Sequence, residues 1–241
     1  MLQAVQALIL KVIKYGETSI IVQAFTVEYG LRSFIAKGVR QSKYAHKAAI
    51  LKPLGIVEMQ VYHKPLSEID LIKEMKWYYV YLTMYSDPFK QATAMVLSEW
   101  LLHILKSVAE PSILFHFIQD KLILFDKTKE NYQVFILGFM YEMMIYLGVQ
   151  PAFKKVSMPM YFDMRAGVFC EEMPLHFDVL DISEANLLEQ LMRYNTESII
   201  QVSIPSDQQS ILLDILLRYY RLHVHDFGIL QSVAIYKKLI N

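Results

Sequence analysis

Val5–Ala36 reads VQALILKVIKYGETSIIVQAFTVEYGLRSFIA, and this stretch decides the fold class. It holds three apolar runs parted by two turn signals. Val5–Ile13 is almost continuously apolar, as a strand covered on both faces would be. Tyr15-Gly16-Glu17 interrupts it, and the β-branched run Ser19–Phe25 begins a second strand. Glu28-Tyr29-Gly30 is a turn, and Leu31–Ala36 a third strand. Further on, Leu54–His63 alternates: Val57, Met59 and Val61 face one way, Glu58, Gln60 and Tyr62 the other. A fifth strand, Ile69 to about Lys76, follows the Lys64-Pro65 turn. Five short strands, with a break of roughly fifteen residues between the third and the fourth, match the layout of an OB-type barrel.

Charge concentrates in that break. Arg32, Lys37, Arg40, Lys43, Lys47 and Lys52 fall between residues 32 and 52 without one Asp or Glu, in a chain with 24 bases and 24 acids. Residues 1–80 hold eleven Lys/Arg and six Asp/Glu, a net of +5, and residues 81–241 hold thirteen and eighteen, a net of −5. Such asymmetry points to a polyanion partner for the first part. Lys37, Arg40, Lys43 and Lys47 share a face if their segment is helical, and Ala45, Ala48 and Ala49 allow a short helix there. The expected phosphate contacts are therefore Arg32, Lys37, Arg40, Lys43 and Lys47, with Lys11 and Lys52 as additions. Phe34 or Tyr44 would stack on unpaired bases, since a ring stacks on any base.

After residue 80 the pattern is helical. Asp87-Pro88 is an N-cap followed by proline at the first helical position, and Pro111 opens another helix. Asn131 can cap a third, which ends at Gly148. Residues 152–180 read as irregular. Two shorter helices follow, near Glu184–Tyr194 and Asp207–Val224, the latter announced by the capping-box spacing of Ser206 and Gln209. The tail from Ile229 to Leu239 looks helical. The expected fold is α+β: an OB-fold barrel over 1–80, then an all-α domain over 81–241 with an irregular insert at about 151–180.

Other chemistries find little support. Hydrophobic residues make up 54% of the chain, which excludes long disorder. The single cysteine, Cys170, excludes an internal disulfide, and Glu171 and Glu172 beside it would raise its pKa. The N-terminus lacks a basic n-region and a small-residue cleavage site, so no secretory signal is expected. Tyr132–Val149 is apolar but short for a bilayer and holds Glu142, so a buried helix is expected. His223-Val224-His225-Asp226 suggests a metal site but lacks the further histidine a metal-hydrolase motif would carry. Asp226-Phe227-Gly228 matches a kinase tripeptide with no Gly-rich loop or catalytic loop elsewhere. No Walker-type or dinucleotide loop occurs. The Met- and aromatic-rich Phe135–Tyr146 reads as core. No catalytic residue, metal or cofactor is expected, and the chain is read as a non-enzyme.

Particular strings give these features a context. Ala7–Thr18, Ile21-Val22, Phe25-Thr26, Glu28-Tyr29-Gly30, Ala36-Lys37-Gly38-Val39-Arg40 and Leu51-Lys52-Pro53-Leu54 resemble the RecO recombination-mediator proteins of bacteria. So do Tyr220-Arg221-Leu222-His223, Asp226-Phe227-Gly228 and Leu230-Gln231-Ser232 near the end. The resemblance implies an OB-fold that binds single- and double-stranded DNA without sequence preference. It implies annealing of complementary strands and help in loading a recombinase onto strands coated by single-strand binding protein, in the bacterial cytoplasm at the nucleoid. The implied partners are DNA, RecR and, in some members, the acidic tail of the single-strand binding protein. That tail requires an apolar pocket rimmed by cations, for which Arg218, Arg221 and Lys237 are the candidates. Some relatives carry a four-cysteine zinc site where this chain has Pro151–Pro174. With Cys170 alone, such a site is excluded on ligand count, and Met158, Met160, Phe162 and Phe169 would hold the segment by packing. The rival reading is an adaptor whose barrel binds protein, since fold does not fix function.

Overall fold

The computed structural model describes residues 1–39, 50–64, 67–106, 108–152 and 160–240. The chain divides into two compact units, Met1–Lys127 and Thr128–Asn241. The change from strand to helix near residue 80 is thus a different division from the one that packing makes.

In the first unit β1 (Leu2–Tyr15), β2 (Ser19–Thr26), β3 (Gly30–Ala36), β4 (Ile56–Tyr62) and β5 (Ile69–Trp77) close into a barrel of order β1-β2-β3-β5-β4. All pairs are antiparallel except β3 with β5. Alternation explains the interior. Val5, Ala7, Ile9, Ile20, Val22, Ala24, Phe34, Ala36, Val57, Met59 and Val61 all point inward and form one cluster. β1 departs from the continuous-run reading. It is buried on both faces only over Ala7–Leu10, and from Lys11 onward it is exposed.

Among the described residues, two long helices belong to this unit. α1 (Pro88–Ile104) packs beside β1, and its N-cap is Asp87, whose carboxylate accepts from Lys90 N at 3.0 Å. α2 (Pro111–Lys127) packs beside β2, with Phe115 stacked on Phe25 and Gln119 bonded to Gln6. The strap between barrel and α1 is tied down by Asp126, which is 0% exposed. Its carboxylate accepts from the backbone N–H groups of Leu82, Thr83 and Met84, each at 2.8 Å. Lys90 Nζ donates to Thr83 Oγ1 at 2.7 Å and to the Asp126 carbonyl at 2.9 Å, so its buried charge lies beside the carboxylate that offsets it.

Among its described residues, the second unit combines helices with one small sheet. A 3-10 turn (Tyr132–Val134) leads into α3 (Phe135–Tyr146), most of which is buried. Glu142, the charge inside this apolar helix, accepts from the backbone N–H and the hydroxyl of Thr196. The segment expected to be irregular instead forms β6 (Tyr161–Asp163), β7 (Val168–Cys170) and β8 (Val179–Leu180), in order β7-β6-β8. Packing holds it: Met160, Phe162 and Phe169 are buried, and Phe162 meets Phe169 edge-on with centroids 4.9 Å apart. Met158 lies outside the described residues. α4 (Ile182–Leu191), α5 (Thr196–Ile199), α6 (Ser206–His223) and α7 (Val233–Ile240) complete the unit. The capping box expected at Ser206 is absent. Pro205 takes the N-cap position, and Gln209 Nε2 donates to Ile204 O instead.

The β6–β7 turn gives a sharp test. Gly167 has φ +69, and a Cβ there would sit 2.7 Å from the hydroxyl of Tyr219, which is 3% exposed. Gly167→Ala is expected to destabilise the second unit by about 2 kcal/mol, the left-handed penalty plus overpacking against a ring with little room to move. Urea unfolding monitored in that unit checks it.

Candidate nucleic-acid interface

Strand register builds a continuous outer face. Lys11 pairs with Gln23, Gln23 with Ser33 and Ser33 with Ile69. One row along, Ile13 pairs with Ile21, Ile21 with Ile35 and Ile35 with Leu71. These side chains point away from the interior cluster, because their neighbours Ile20, Val22, Ala24, Phe34 and Ile72 fill it. Lys37, just past the end of β3, and Lys73 on the parallel neighbour β5 stand two residues beyond Ile35 and Leu71. Both line one cavity of about 220 Å³ with Tyr62, Val39, Glu74 and Met75. Lys11, Lys37 and Lys73 are exposed, and Tyr62 is 42% exposed. An apolar row flanked by lysines and one tyrosine can hold stacked bases and track their phosphates.

The predicted contacts separate on this frame. Lys11 and Lys37 lie on the face. Arg40, Lys43, Tyr44 and Lys47 lie outside the described residues. Phe34 is corrected: it is 0% exposed in the barrel core and is not available to stack on a base. Arg32 is half-buried and already paired. Its Nη2 donates to Ser67 O at 3.1 Å and meets Asp70 Oδ2 at 3.4 Å, so its charge is engaged at the barrel's end. Asp70, 1% exposed, also accepts from Lys64 N and lies 2.9 Å from His63 Nδ1. Burial alone would raise its pKa, but the bonds from His63, Lys64 and Arg32 hold the carboxyl below its ordinary value. Lys52 is exposed, with Nζ 4.6 Å from the centre of the Tyr85 ring, and lines a different cavity with Pro53, Tyr85, Gln91, Ala94 and Met95.

Sequence reasoning missed Lys73 and Tyr62. Tyr62 was legible as an outward position of the alternating fourth strand. Lys73 joins Lys37 only through the β3–β5 pairing, which no local pattern announces.

In the second unit the rim candidates are largely spoken for. Lys237 Nζ donates to Asp214 Oδ2 at 2.5 Å, and Arg218 Nη1 lies 3.9 Å from Glu184 Oε1. Arg221 is exposed. His223 Nε2 bonds Met164 O at 2.7 Å, with its ring stacked on Tyr219, while the side chain of His225 is 94% exposed. Among the described residues no three His, Cys, Asp or Glu converge as a metal site. Asp226 takes a left-handed turn, φ +55, that lets Phe227 stack on Tyr220. Cys170 is pushed up by burial and then by Asp163, rather than by its sequence neighbours. No helix among the described residues is long and apolar enough to cross a membrane.

The first 81 residues match the family model described as "Recombination protein O N terminal". Over 241 residues the chain is 32% identical to the DNA repair protein RecO of Phocaeicola vulgatus, with 100% of each chain covered. It is 33% identical to the DNA repair protein RecO of Bacteroides fragilis, again with 100% of each covered. With the DNA repair protein RecO of Flavobacterium johnsoniae it shares 29% identity over 98% of each chain. A five-stranded barrel with a lysine-flanked face, and full-length identity of this order, make the chain a member of the RecO family of DNA repair proteins.

Proposed function

We infer that the barrel binds single- and double-stranded DNA without sequence preference, and that the protein anneals complementary strands and assists recombinase loading without catalysing a reaction. The observation that carries this reading is the outer face itself. Lys11, Lys37 and Lys73 flank the apolar row Ile13–Ile21–Ile35–Leu71, and no base-edge reader such as Asn or Arg stands in that row. Annealing follows physically. Lysines neutralise two phosphate backbones while the bases stay free to pair, which lowers the repulsion between strands.

RecR and the acidic tail of the single-strand binding protein are the proposed protein partners. For that tail, the apolar cavity with Lys52, Pro53, Tyr85, Ala94 and Met95 supplies an apolar floor and a cation. It fits the chemistry better than Arg218 and Lys237, which already face Glu184 and Asp214.

A salt titration tests the DNA reading. About six phosphate contacts on a single strand predict a log–log slope of roughly −4. A binding constant that barely changes between low and moderate salt would sink it in favour of a barrel that binds protein.

A further inference from the structure

The second unit turns apolar side chains outward on two separate faces. The first is residues 171–178, which read EEMPLHFD and lead into β8. An ordinary strand points its apolar side chains inward, and here the alternation is reversed. Leu175 and Phe177 are fully exposed and Met173 is 62% exposed, while Pro174, His176 and Asp178 are half-buried. Polar clamps hold the inward side. His176 Nε2 lies 3.3 Å from Asp163 Oδ2, Arg165 Nε donates to Asp178 Oδ2 at 2.6 Å, and Met164 N donates to Asp178 O at 3.0 Å. The apolar projections are thus preset, which spares a partner the entropy of ordering them. Glu171 and Glu172 stand exposed at one end.

The second face belongs to α7. Tyr236 is its buried residue, and Lys237 is paired with Asp214. Ala234, Ile235, Lys238 and Leu239 are exposed, and spacings of three and four put them on one outer stripe. Ile229, ahead of the helix, is 79% exposed. One face therefore offers large apolar side chains beside two carboxylates, and the other offers them beside a lysine. The carboxylates disfavour DNA or an anionic membrane as the loop's partner, because both present phosphates. The two faces flank α6 on different sides, so one chain does not join its own pair. Tyr219 and His223 hold the small sheet through Phe162 and Met164 O, whereas Asp214 holds α7. Tyr219 and Asp214 are five positions apart, about 140° around a helix of 3.6 residues per turn.

We propose that this protein associates head to tail with copies of itself, the 171–178 loop of one copy seated on the outer stripe of α7 of the next. Leu175 and Phe177 pack against Ile235 and Leu239, and Glu171 and Glu172 face Lys238. A contact between two different surfaces leaves a free loop at one end and a free helix at the other, so it does not stop at two copies. Its small area places it among transient contacts. The proposal does not depend on the DNA-binding reading.

Sedimentation velocity of the full chain, from about 1 to about 100 µM, spans the affinity of such a contact. The average mass should rise with concentration and include species larger than a dimer. Leu175→Ser with Phe177→Ser should stay monomeric, as should Ile235→Ser with Leu239→Ser. All four side chains are exposed, and an unchanged urea midpoint shows that the variants fold. Mixed in equal amounts, the two double variants each keep one intact face and should form dimers and nothing larger. Lys238→Glu should weaken association about tenfold, and adding Glu171→Lys and Glu172→Lys to it should restore association. A wild-type protein that stays monomeric at the top of the range overturns the proposal and leaves the two faces to other proteins. Association that survives either double variant, or a mixture that stays monomeric, overturns it as well.

Discussion

Replacing Asp126 by Ala lowers the stability of the first unit by about 3–5 kcal/mol, the largest effect expected of any single substitution in this protein's described contacts. The substitution strands the backbone N–H groups of Leu82, Thr83 and Met84, which meet one carboxylate. It also removes the charge beside Lys90, which is 2% exposed. Asp126→Asn keeps one acceptor oxygen and should lose less. The pH dependence follows from the same bonds. Burial pushes this carboxyl upward, but the three backbone donors and Thr83 outweigh it and hold the pKa below the ordinary value. A depressed folded-state pKa gives stability that is fully present above the unfolded value, about 3.9, and lost as pH falls through the folded one. The gap between wild type and Asp126→Ala, measured by urea unfolding at several pH values, should therefore narrow below about pH 4. A gap that stays constant down to strong acid would contradict the assignment.

Lys37→Glu combined with Lys73→Glu should weaken single-strand binding about a hundredfold at moderate salt. Both lysines line one cavity on the outer face, and each reversal leaves a phosphate without its cation and adds a repulsive carboxylate beside Glu74. The salt slope should become shallower by about 1.4, near 0.7 for each phosphate no longer neutralised. Both side chains are exposed, so the unfolding midpoint should hold. Lys106→Glu, an exposed reversal after the end of α1, is the control and should change affinity less than about threefold. If the control and the double variant fall together, net charge rather than this face governs binding. Strand annealing by the double variant should fail in parallel.

Much of the barrel was legible because its signals are local. The turns at Gly16 and Gly30 and the alternation over Val57–Val61 fall where the strands begin, end and point. The Asp87-Pro88 start of α1 was legible for the same reason, since a cap needs only its own turn. The small sheet β6–β8 was not, because strands of two and three residues carry too little pattern to separate from loop. Ser206 looked like a cap from its spacing to Gln209, but a glutamine can satisfy a nearby carbonyl just as well, and Ile204 O was closer at hand.

The candidate site divides along the same line. The sequence alone determined that the first part is a small barrel, that its cations outnumber its acids, and that Lys37 follows directly on the third strand. Those properties follow from composition and from a period of two along each strand. Tertiary structure decided which cations are free to meet a phosphate. Arg32 sits in the acid-free run, yet its guanidinium meets Asp70 on the neighbouring strand β5, and Phe34, two residues on, fills the core. Lys73, outside that run, reaches the face through the parallel pairing of β3 with β5. Barrel closure joins residues far apart in the chain, and an ion pair or a shared face formed that way leaves no trace in local spacing.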